Sequence, residues 1–235
     1  MKRFLLLLSF FVAGVIQAQT ADEVIQKYTA AMGGLDAFNK VTSAKITGNI
    51  ISQGMPMPLT IQLINNKAVR TDVDAMGQEI VTVYNKGTGW KINPYTGAET
   101  ATELSGQELT EARLQTSLVN NLMDYKKRGH SVELAGQEDV EGVKCYKIKL
   151  VSADDKKTTM YFINTADYLL IKTTATREMQ GQEMEVETFY SDLKDFNGLK
   201  FYMMRSQKIQ GQVFQEVKLD KVELNIPIDE NIFKM

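Results

Sequence analysis

Hydrophobic and polar positions change their spacing several times along this 235-residue chain. Near the start, Val24, Ile25, Tyr28 and Met32 recur three and four residues apart, which predicts an amphipathic helix over "ADEVIQKYTAAMGG". Asp22 and Glu23 fall in its first turn and Gly33 follows its last, as start and stop signals do. "LDAFNKV" predicts one more short helical turn. From Val41 the period drops to two. In "LTIQLI", Leu59, Ile61 and Leu63 point one way, and Thr60 and Gln62 the other. "KITGNIIS", "AVRTDV", "EIVTVYN" and "GWKIN" predict further strands, with "AMGQ" a hairpin turn.

The pattern then breaks. "SGQELTEARLQTSLVNNLMDYKKRG" predicts one long helix whose stripe is Leu109, Ala112, Thr116, Val119 and Met123, widened by Leu114, Leu118 and Leu122. Period two returns and holds from "SVELAG" through "KCYKIKLV", "TTMYFIN", "YLLIKTTATRE", "EMEVETFYSD" and "LKFYMMRSQKI" to "VFQEVKLDKVELN". The turns between them are clusters of Gly, Asn and Asp. In the last strand, Val217 and Leu219 share a parity that Val222 and Leu224 break, which predicts a β-bulge near Asp220. The reading is a mostly β (α+β) chain with about eleven strands in one large antiparallel sheet, because the strands are too closely spaced for βαβ units.

"NKGTGWKINPYTGAE", Asn85 to Glu99, has three glycines and the only tryptophan. A phosphate-cradling loop runs from a strand into a helix N-terminus. Here a strand follows the glycines, so the stretch reads as two β-turns flanking an aromatic strand.

The first residues change the picture of where the protein acts. Lys2 and Arg3 precede the apolar run "FLLLLSFFVAGVI", which is too short to span a membrane and reads as a signal peptide cleaved near Ala18. Residues 19–235 are then expected as a single exported, periplasmic domain. No cysteine lies near the cleavage point to carry a lipid anchor. Loss of Lys2 and Arg3 from 27 basic residues, against 29 acidic ones, makes the mature chain weakly acidic. That balance argues against nucleic acid as a partner. The densest basic run, "KKRGH" at Lys126 to His130, fits a helix C-terminus. Cys145 is the only cysteine, so no internal disulfide is expected.

Catalytic chemistry finds little support. His130 is the only histidine and, with Cys145, leaves at most two strong transition-metal ligands. No Gly-x-Ser-x-Gly elbow exists. Glu183, Glu185 and Glu187 share one strand face, which suits paired-carboxylate chemistry or calcium, but an exposed charged face explains them more simply. No enzyme activity, cofactor or metal is expected. The distinctive feature is apolar content on both faces of several strands, together with 12 methionines, whose flexibility suits variable apolar guests.

In layout, the mature chain resembles the periplasmic LolA/LolB-like carriers that sort lipoproteins to the outer membrane. The resemblance rests on the leading helix, "GTGWKINPYTGAET", the helical excursion, the long hairpins and the closing "VELNIPIDENIF". It implies an open, incomplete β-barrel, with the N-terminal and inserted helices forming a lid. It also implies a soluble monomeric carrier for acylated lipoproteins or another lipid, with inner- and outer-membrane transport partners. The expected cavity residues, chosen by strand parity, are Leu59, Ile61, Leu63, Val81, Trp90, Ile148, Met160 and Phe162. The alternative is a non-catalytic lipid-sensing or protein-docking module on the same fold. One departure is plain. The family's Arg-Pro corner, whose arginine helps hold the lid shut, reads "INNKAV" here, with Arg70 nearby but off the motif.

Overall fold

The computed structural model describes residues 19–179 and 181–235. The leader read over residues 1–18 lies outside the described residues. Helix α1 (Ala21–Ala31) starts at Thr20, whose side chain accepts a hydrogen bond from the Glu23 amide while the Glu23 carboxylate accepts one from the Thr20 amide. This reciprocal cap fixes the entry to the helix. Gly33 and Gly34, both at positive φ, turn the chain into the short helix α2 (Leu35–Lys40).

Among the described residues thirteen strands follow, where about eleven were expected: β1 (Ser43–Ser52), β2 (Met55–Ile64), β3 (Ala68–Ala75), β4 (Gln78–Asn85), β5 (Thr88–Asn93), β6 (Ala98–Glu103), β7 (Ser131–Val140), β8 (Val143–Val151), β9 (Thr158–Asn164), β10 (Leu170–Met179), β11 (Gln182–Phe196), β12 (Leu199–Ile209) and β13 (Gln212–Leu224). All pair antiparallel in one sheet, in the order β6-β5-β4-β3-β2-β1-β13-β12-β11-β10-β9-β8-β7. The sheet is two meanders joined where β1 pairs with β13. Strand β6 escaped the sequence reading because "AETATE" is polar and almost wholly exposed, with no hydrophobic alternation to reveal it. Pro56 and Pro58 sit inside β2, but β3 pairs with β2 only from Leu59 onward, so neither proline removes a ladder bond on that side.

The predicted bulge is present. Thr47 lies opposite Lys221 and Gly48 opposite Leu219, so Asp220 is the extra residue. The bulge restores parity, and Val217, Leu219 and Val222 join one cluster with Ile46, Leu59 and Met203.

Strands β6 and β7 are consecutive in the chain but occupy opposite edges of an unclosed sheet. Their connection crosses the concave face, where Leu118 and Met123 cover a cavity. It begins as helix α3 (Gly106–Leu114), which packs on β3, β4 and β5. The long helix expected here is corrected: it ends at Leu114, and residues 115–129 run as successive turns. Short polar side chains explain the stop. Thr116 donates from Oγ1 to the Arg113 carbonyl, Ser117 Oγ accepts from the Val119 amide, and Asn120 Oδ1 accepts from the Met123 amide. These bonds compete with the helical ladder. Val119, Leu122 and Met123 are still buried, in the core they share with Val24, Ile25 and Tyr28 of α1.

Candidate functional site

The concave face is covered at both ends and open in the middle. At one end, α1 and residues 119–125 seal the inner face of β8 and β9, where Ile148, Leu150 and Ile163 are buried. At the other, α3 brings Ala112 onto Val69 and Tyr84. Between these cores lies a cavity of about 710 Å³, within the usual range of small-molecule sites. Ile46, Ile50, Leu59, Ile61, Val217 and Leu219 make its apolar floor. Tyr28, Met32, Phe38, Leu118 and Met123 form the covering side. The lid thus supplies apolar walls that belong partly to the core and partly to the cavity.

A polar row crosses this floor. Gln215 pairs with Gln207, Gln207 with Thr188, and Thr188 with Thr173, which in turn faces Tyr161. All five line the cavity. Thr173 Oγ1 and Tyr190 Oη lie 3.3 Å apart. The Thr71 hydroxyl, on the cavity wall in β3, is buried with no hydrogen-bond partner among the described residues.

Of the eight residues expected in the cavity, Leu59, Ile61 and Leu63 line it. Ile148 faces the same side but is wholly buried in the α1 core. Val81 and Trp90 lie on the convex face of β4 and β5, in a cluster with Ala68, Val83 and Phe233. The chain after β13 folds back there, with Ile228 and Ile232 packed against that cluster. Met160 and Phe162 also face outward, beside Cys145 and Val140. Strand parity separates two faces but does not say which is concave, and these strands carry apolar residues on both. The sequence reading missed Ile46, Ile50, Val217 and Leu219, although their alternation was visible.

Arg70 is anchored away from the lid. Its Nε donates to the Asp72 carboxylate at 2.8 Å and its Nη1 to the Ile232 carbonyl at 3.2 Å. Its guanidinium lies 6.0 Å from the Trp90 ring centroid. It fastens the C-terminal segment to the convex face.

The side chains weighed for chemistry take structural places. Cys145 is fully buried, and burial pushes its thiol up to about 11. His130 is buried, accepts from the Ala153 amide at Nδ1, and is held below its usual range by desolvation. Glu183 and Glu185 are exposed on the convex face, and Glu187 accepts from Lys172 Nζ at 2.8 Å. Among the described residues there is no cluster of three His, Cys, Asp or Glu side chains able to hold a metal ion. No helix among them is long and apolar enough to cross a membrane.

Solved structures share this architecture. A LolA-superfamily protein from Nitrosomonas europaea superposes with a TM-score of 0.60 at 12% identity, over 93% of this chain and 99% of its own. An outer membrane lipoprotein-sorting protein domain from Vibrio parahaemolyticus matches with a TM-score of 0.60 at 11% identity, over 91% of this chain and 97% of its own. A DUF1329 family protein from Desulfovibrio piger matches with a TM-score of 0.54 at 10% identity, over 91% and 97%. No protein-family model and no curated protein sequence matches the chain. The chain therefore has the LolA-like fold, an open antiparallel barrel with helices against its hollow side.

Proposed function

We propose that this protein is a non-catalytic carrier that shelters the acyl chains of lipoproteins on their way to the outer membrane. The observation that carries the reading is the apolar floor left open between two sealed cores, beneath the β6–β7 connection that crosses it. The fold shared with a lipoprotein-sorting domain supports it. Each buried CH₂ is worth about 0.8 kcal/mol, so a long acyl chain does not cross water unprotected. A cover of turns rather than one continuous helix suits a carrier, because release requires the cover to move. The reading places the mature protein in the periplasm, after cleavage near Ala18, as a monomeric domain of residues 19–235. Its partners are an inner-membrane donor and an outer-membrane acceptor.

The test is to mix the purified protein with a detergent-solubilised triacylated lipoprotein, remove the detergent and separate by size. A soluble one-to-one complex is expected with the acylated form and none with the deacylated form. Aggregation of the acylated form, with the carrier left free, would count against the reading.

A further inference from the structure

The cavity's charge runs against that of the chain. The protein has 29 acidic and 27 basic residues, yet Arg177, Lys200 and Arg205 line the cavity and no Asp or Glu does among the described residues. Two acids on the neighbouring strands, Glu187 and Glu216, face the other way, and Asp195, which lies opposite Lys200 at the far end of β11, is exposed and accepts from the Gly198 amide. Glu187 pairs with Lys172 on the convex side, and Glu216 lies opposite Ser206, out of phase with the inward-facing Gln215 and Val217.

Arg205 holds the central position. On β11, Lys200 lies opposite Asp195, Arg205 opposite Tyr190, and, across the other edge, Arg177 opposite Met184. At about 3.3 Å per residue, the two outer cations sit roughly 17–20 Å along the strand from the middle one. Arg205 shares its rung with Val217, on the apolar floor, and the next inward rung is the row Gln207, Gln215, Thr188 and Thr173. Among the described residues, Arg205 forms no ion pair. Arg205 is half-buried beside the apolar floor, and its guanidinium has no hydrogen-bond partner among the described residues, so its donors are open to a ligand in the cavity. Its planar fork matches a carboxylate or phosphate, and the Gln207 and Gln215 side chains on the next inward rung carry further N–H donors.

We infer that the cavity takes amphiphiles with an anionic head, the negative group held at Arg205 beside Gln207 and Gln215 and the tail lying along Ile46, Ile50, Leu59 and Leu219. This rests on the carrier reading for the apolar tail and extends the cargo to amphiphiles with an anionic head, a group that a triacylated cysteine does not carry.

The experiment is calorimetric titration of the purified protein at pH 8 with dodecanoate and with dodecan-1-ol, both below their aggregation limits, and with acetate as a head without a tail. Dodecanoate is expected to bind about tenfold more tightly than dodecan-1-ol, and acetate not measurably. In Arg205→Met the ratio of the two affinities collapses to within twofold. Arg205→Lys, which keeps the charge, retains several-fold preference and guards against a folding artefact, with circular dichroism melts confirming both variants. Equal affinities in the unaltered protein, or a preference that survives Arg205→Met, overturns the anionic-head inference and leaves the carrier reading standing. Binding of neither chain removes both.

Discussion

Asn120 donates from Nδ2 to the Tyr28 hydroxyl at 2.7 Å, joining helix α1 to the turns that cross the cavity. Tyr28 is fully buried, and desolvation raises its phenol well above the usual range, so the hydroxyl stays neutral. Tyr28→Phe removes the link without changing the shape of the core. The expected loss is about 1 kcal/mol, since Asn120 is exposed and can turn to water. Urea denaturation measures it. Faster hydrogen exchange over residues 115–125 should accompany it, and an unchanged midpoint would show that the bond does not tie the cover down.

A second tether joins the same two pieces. Lys126 Nζ lies 2.6 Å from Asp22 Oδ2, and the Tyr125 hydroxyl donates to Asp22 Oδ1. The bond from Lys126, then that from Tyr125, holds the Asp22 carboxyl below the ordinary aspartate value of about 3.9. The tether is complete above that value and is lost as pH falls through the lowered one. Acid should therefore loosen α1 from residues 125–126 below about pH 4. Asp22→Asn should flatten this limb of a stability-versus-pH curve. The effect is small because both partners are largely exposed.

Gly48 marks where the two meanders meet. A Cβ there would stand 2.3 Å from the Lys218 carbonyl oxygen and 2.8 Å from Leu219 Cα, both backbone atoms beside the Asp220 bulge. Gly48→Ala must push β1 and β13 apart. A loss of about 2 kcal/mol or more is expected in chemical denaturation. A loss below about 0.5 kcal/mol would show that the junction yields easily.

Cys145 should behave as a core residue. With its thiol raised to about 11 and no exposed surface, it is expected to resist thiol reagents at pH 8 in the folded protein and to react stoichiometrically in denaturant. Rapid labelling of the folded protein would show that the thiol reaches solvent and is not a core group.

Much of the architecture was legible because the chemistry is local. Period two marked the strands, Gly, Asn and Asp marked the turns, and a parity break at Val217 to Leu224 located the Asp220 bulge. Strand β6 was not legible, because a polar edge strand is held by its neighbour's backbone rather than by its own side chains. The end of α3 was written in Thr116, Ser117 and Asn120, but the apolar stripe running through them masked that signal. The site was half legible. Leu59, Ile61 and Leu63 fell in the cavity, whereas Val81 and Trp90 turned outward to meet a C-terminal segment whose return only the folded chain reveals. Arg205 and its polar row depend on register across four strands, which no single stretch of sequence encodes.

The central claim is that the open middle of the concave face receives an acyl chain. Titration of a dansyl-labelled undecanoyl probe into the protein, beside the variants Ile61→Trp and Ala175→Trp, tests it most directly. Both positions line the cavity and are only partly buried, so an indole fills the space while the fold persists. The account predicts saturable one-to-one binding to the unaltered protein and at least tenfold weaker binding to each variant. Undiminished binding to both well-folded variants would contradict it.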